Sequence, residues 1–146
     1  MCRRDYSADM RLTLIGMAIS GLAPTACGGS AAQLTPDEVI PKLEAAGLEC
    51  TETAREPVQE SIAATAVTCA LGDAGGIVVI VAESAEDIDK ARLELCSQIP
   101  DEQGNLEVAT GTDWLSVTLS TVGVGPAQVA EALGGQVSKI KDYCAQ

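Results

Sequence analysis

The chain predicts an α+β fold: an antiparallel sheet of four or five strands with helices packed over one face, braced by two disulfides. Three observations carry that expectation. Period-2 apolar runs joined by short turns alternate with helical stripes between residues 34 and 146. Four cysteines fall in that region, an even number of the kind that braces small exported domains. An apolar leader precedes it and sets the compartment in which those cysteines work.

The leader is Leu12 to Cys27, LTLIGMAISGLAPTAC, with Arg11 before it and no charge between Arg11 and Asp37. Its apolar core, Leu12 to Ala23, is shorter than the roughly 20 residues a permanent span requires. A basic residue, a short apolar run and small residues at its end are the layout of an export signal, assigned to residues 1–26. Met10 offers a second start, since Met1–Asp9 is unusual as the charged end of a signal. Cys27–Gln33, CGGSAAQ, reads as a flexible tether, and 34–146 as a single domain.

Ala26-Cys27-Gly28-Gly29-Ser30 behind an apolar run resembles the lipobox of bacterial lipoproteins, those of high-GC Gram-positive bacteria most of all. Thr25 and Ala26 fit the positions before the cysteine, and Pro24 stands where that family usually has Leu. The resemblance implies that Cys27 receives a diacylglycerol, that the signal is cut before it, and that the chain hangs from the outer face of the cell membrane. The alternative is ordinary cleavage after Ala32, which gives a soluble secreted protein; Pro24 and Gly28-Gly29 oppose an uncleaved anchor helix.

Removal of 26 residues from 146 leaves 120, enough for one core. Phe is absent, and after Cys27 only Trp114 and Tyr143 are aromatic, so the core must be built from Val, Ile, Leu and Ala. The whole chain carries −12; the leader's three arginines and two aspartates contribute +1, so the remainder carries −13. Such a surface repels nucleic acid and anionic headgroups, and only an attached lipid would hold the domain at a membrane. Cys50, Cys69, Cys96 and Cys144 admit three pairings, of which Cys50–Cys69 and Cys96–Cys144 are favoured: one joins neighbouring strands, the other ties a helix to the C-terminal segment. A four-cysteine zinc site would need a Cys-x-x-Cys pair, which the chain lacks, so no metal is expected.

The first helix opens at Thr35-Pro36, with Glu38 closing a capping box and Leu34 and Val39 set for a hydrophobic staple. Val39, Ile40, Leu43 and Ala46 form its stripe, Gly47 stops it, and Pro41 costs it one hydrogen bond. Cys50–Thr53 is a short strand, followed by a polar loop at Arg55–Ser61 that Pro57 keeps irregular. Val67–Leu71 alternates, Gly72–Gly76 turns, and the β-branched run Ile77–Val81 suits a central strand, the two forming a hairpin. Ser84 caps a second helix through Ile99, with Glu86 and Lys90 paired at i,i+4. Asp101–Asn105 turns; Leu106–Thr110 and Trp114–Leu119 form a hairpin around Gly111-Thr112-Asp113. Pro126 starts a third helix, Gly134-Gly135 interrupts it, and helical spacing resumes through Val137, Ile140 and Cys144.

Chemistry is sparse. Without histidine the usual general base and the Ser-His-Asp and Cys-His systems are excluded, and no catalytic residue or cofactor is expected. Gly123-Val124-Gly125-Pro126-Ala127-Gln128 imitates a dinucleotide turn, but a proline-led helix start explains it better. Asp87-Ile88-Asp89 begins like a calcium loop, yet Ala91 fills the next ligand position. Glu49, Glu52, Glu56 and Glu60 form an acidic strip, by default a solvated face. Trp114 either fills the core or, with the Gly111 hairpin, contacts a partner. The expected function is therefore a non-catalytic envelope lipoprotein that binds or assists a protein or small ligand. The alternative is a soluble binding or inhibitor module.

Overall fold

A computed structural model describes residues 32–104, 106–120 and 123–146. Residues 1–26, read above as an export signal, and Cys27, read as the lipidated residue, lie outside them. The elements are α1 (Pro36–Ala45), β1 (Glu52–Gln59), β2 (Ile62–Ala70), β3 (Gly75–Ala82), α2 (Ala85–Gln98), β4 (Glu107–Thr110), β5 (Trp114–Ser120), α3 (Pro126–Leu133), β6 (Gln136–Lys139) and α4 (Ile140–Cys144), with 3-10 turns at 72–74 and 101–103. The strands form one antiparallel sheet of six in the order β1-β2-β3-β5-β4-β6. The fold is α+β with two disulfides, and it has one strand more than the upper expectation.

Local chemistry sets the helix ends. Glu38 accepts from the Thr35 N–H at 2.9 Å and from its hydroxyl at 2.7 Å, and Leu34 and Val39 are buried in one cluster. The helix runs through Pro41 and stops at Gly47, whose φ of 84° lets Gly47 N–H reach the Glu44 carbonyl and Leu48 N–H reach that of Leu43. Ser84 accepts from the Asp87 N–H at the start of α2, and Lys90 pairs with Glu86 at 2.9 Å. At α3 the Gly125 N–H donates to the Gln128 side chain at 3.1 Å. Gln128, out of place in a dinucleotide turn, is a helix cap.

Two stretches depart from the sequence reading. Arg55–Gln59, expected as loop, is strand, because β1 lies at the sheet edge, where a proline and a local register shift after Pro57 are tolerated. Gln136–Lys139, expected as helix, is β6: the left-handed Gly134 ends α3, and the released segment pairs with β4. Its helical spacing spans only four residues, which also suit an edge strand.

The helices cover both faces of the sheet, which corrects the expectation of one. Val67, Cys69, Ile77, Val79, Val81, Ala109 and Trp114 point to a layer with Val39 and Leu43 of α1 and Val129 and Leu133 of α3. The alternate residues Ile62, Ala64, Ala82, Val108 and Leu115 pack with Ile88 and Ala91 of α2 and Ile140 and Tyr143 of α4. Topology explains the split. β3 and β4 run in the same direction with β5 between them, joined through α2; β5 and β6 do the same around β4, joined through α3. Both crossovers advance toward one edge from strands of opposite sense, so a common hand sends their helices to opposite faces.

Cys50–Cys69 and Cys96–Cys144 are both bonded, with Cα separations of 5.0 and 5.8 Å. The first fastens the chain entering β1 to β2; the second pins α4 to α2. Replacing Cys96 and Cys144 together by Ala opens a cross-link of sequence separation 48. It is expected to lower the unfolding free energy by about 4 kcal/mol in the chain-entropy treatment. Urea denaturation checks this, and an unchanged midpoint would contradict it.

Candidate functional site

Four elements meet at one end of the sheet. Leu34, Glu38 and Lys42 come from the entry and first turns of α1, Glu83–Ala85 from the β3–α2 junction, Thr112–Trp114 from the β4–β5 turn, and Leu133-Gly134 from the end of α3. Between them lies a cleft of about 290 Å³. Gln33 seals one side, its amide donating to the carbonyls of Ala82 and Glu83 at 3.3 and 3.1 Å. The Asp113 carbonyl receives the Ala82 N–H at 2.8 Å, which ties the turn to β3.

Trp114 forms one wall and is 3 % exposed. Its indole lies against two glycines. A Cβ on Gly111 would overlap the pyrrole edge, with Cε2 at 2.6 Å, and one on Gly135 would overlap the benzo ring, with Cη2 at 2.8 Å, and the Thr110 carbonyl as well. The Gly111 N–H bonds the Trp114 carbonyl at 2.9 Å. Trp114 therefore fills the core and is not free to reach out as an anchor, while Gly111 is the half-buried floor beneath it. The sequence proposed both residues together; the structure joins them through packing.

Asp113, which sequence reading placed only in a turn, is the chemically unusual residue. It is 9 % exposed, and its Oδ2 has no hydrogen-bond partner among the described residues. Burial raises its pKa above the ordinary 3.8, opposed in part by hydrogen bonds from its own N–H and that of Leu34. Lys42, the one base among the described residues lining the cleft, makes no ion pair with it. Two other acidic groups at this end have clear assignments. Glu38 is held below its usual pKa by the Thr35 hydrogen bonds, and Asp87 by Ser84. No sequence pattern marked Asp113, because its surroundings, the Leu34 N–H among them, come from residues far along the chain.

Elsewhere the expected sites are accounted for by packing. Asp87 caps α2 and also accepts from the Ala63 N–H, and Asp89 faces Arg92 at 3.4 Å, so Asp87-Ile88-Asp89 belongs to a helix. Among the described residues no group of three or more His, Cys, Asp or Glu is placed to hold a metal. Glu49, Glu52, Glu56 and Glu60 are all exposed along the β1 edge, where charge discourages pairing with another sheet. No protein-family model, no curated protein and no solved structure matches the chain.

Two outcomes are expected. Gly111→Ala and Gly135→Ala each force the indole or its neighbours to move and should cost about 1–3 kcal/mol in chemical denaturation; an unchanged midpoint would contradict the packing. Asp113 binds its proton more tightly folded than unfolded. It therefore withdraws stability as pH rises from about its unfolded value of 3.8 through the raised folded one. Denaturation of the wild type and Asp113→Asn in parallel should show the wild type losing ground across that window, and parallel curves would contradict the assignment.

Proposed function

We propose that the chain is a non-catalytic lipoprotein of the cell envelope, anchored through Cys27, whose acidic domain binds a small ligand or assists a partner outside the cytoplasmic membrane. The observation that carries the reading is the bonding of all four domain cysteines in disulfides, chemistry that persists in oxidising compartments. The lipobox-like Thr25-Ala26-Cys27 supplies the export route. Among the described residues, Gln33 and Leu34 already hold to the domain, which is compatible with a module displayed behind the Gly/Ser/Ala-rich segment.

A non-catalytic role rests on how the polar groups are used. There is no histidine in the chain, the Ser84 hydroxyl donates to Asp87 at 2.5 Å, and Glu38 is committed to Thr35. Asp113 is left as a solitary acceptor, which suits binding better than proton transfer between paired groups. Nucleic acid is excluded as a partner on charge.

Globomycin treatment of cells producing the protein tests the anchor. Accumulation of a membrane-bound precursor, with a diacylglycerol mass on Cys27 in untreated cells, is the expected result. Undisturbed release into the medium of a chain beginning beyond Cys27 would replace this reading with the soluble secreted module.

A further inference from the structure

We propose that the cleft at the Asp113 end of the sheet takes a small organic cation, a protonated amine with a short apolar body, whose N–H groups are received by the Asp113 carboxylate. The inference rests on the ligand-binding half of the proposed function and is independent of the lipid anchor. A carboxylate that is nine-tenths buried with one oxygen unpartnered is costly unless a donor meets it. No described protein group does so; the oxygen is closed to solvent, and a ligand N–H in the cleft that Asp113 lines meets it by a small turn of the carboxylate.

The rest of the lining narrows the ligand. Three carboxylates, Glu38, Glu83 and Asp113, face one lysine, Lys42, so the cleft is negative overall. The start of α2 also lines it, but that positive helix end is already occupied by Asp87, which receives its Ser84 hydroxyl and lends its own N–H to Ser84. An anion would thus meet two unengaged carboxylates and a filled helix end. Trp114 and Leu133 supply the apolar walls. A volume of about 290 Å³ is at the small end of ligand sites, which excludes a peptide or a folded partner as occupant. Charge, size and the apolar wall together describe a compact amine.

Isothermal titration calorimetry on the oxidised, natively processed protein with n-butylamine and benzylamine tests this, with n-butanol and butyrate as shape-matched controls. Saturable binding of the amines, with the alcohol much weaker and butyrate silent, is the expected result. Asp113→Asn should weaken amine binding by more than tenfold, the usual scale of a charge-assisted hydrogen bond. Glu83→Gln, at the exposed rim, should weaken it several-fold and gives a second variant should the first fold poorly. Absence of saturable amine binding, equal binding of butyrate, or unchanged affinity in a folded Asp113→Asn would overturn the proposal. The N-terminal mass of the same sample reports the anchor separately, so a failure of either reading is recognised by itself.

Discussion

Burial of one indole against bare backbone is the constraint on which this fold turns. The described domain has a single Trp and no Phe, and Trp114, its largest side chain, lies at the end of the sheet where the cleft forms. It fits only because Gly111 and Gly135 present no Cβ beneath it. Those glycines come from the β4–β5 turn and the exit of α3, so seating the ring brings the two together. Asp113, next in the chain to Trp114, is carried with it to the lining of a cleft, where it finds backbone donors for only part of its carboxylate. The candidate site is thus a consequence of how the core is filled.

The remainder of the architecture holds a thin, strongly charged domain together. A net charge of −13 on residues 27–146, from the chain's −12 less the +1 of residues 1–26, works against compactness by self-repulsion. Only three side-chain cations, Arg55, Lys90 and Arg92, are engaged in ion pairs among the described residues, each with a solvent-exposed carboxylate partner and of small worth. Covalent bracing offsets the rest. One disulfide adjoins each helical layer, Cys69 within the layer of α1 and α3 and Cys144 against that of α2 and α4. The layers exist on both faces because β3 is apolar on both, Ile77, Val79 and Val81 alternating with Ile80 and Ala82.

Much of this was legible in residue order because it is local. Thr35-Pro36 with Glu38, Ser84 with Asp87, and the stop at Gly47 depend on neighbours within a turn or two, and each forms as the residues suggest. Disulfide pairing was legible too, since hairpin proximity favours Cys50 with Cys69. What escaped depends on distant partners. Pro57 is an acceptable strand residue only because β1 is an edge, and β6 becomes a strand only because β4 offers it a free side. The continuous run Ile77–Val81 already implied cover on both faces, and the crossovers supply it. Asp113 was invisible as a site: the Leu34 N–H that meets it comes from far along the chain, and an aspartate in a turn is otherwise ordinary.

Intrinsic fluorescence tests the central claim most directly, because Trp114 is the chain's only tryptophan and reports from the point of closure. In the oxidised native protein the account predicts a blue-shifted emission shielded from iodide, moving to the solvent-exposed wavelength only on unfolding. Emission at the exposed wavelength, fully quenched by iodide while the protein remains folded, would contradict it.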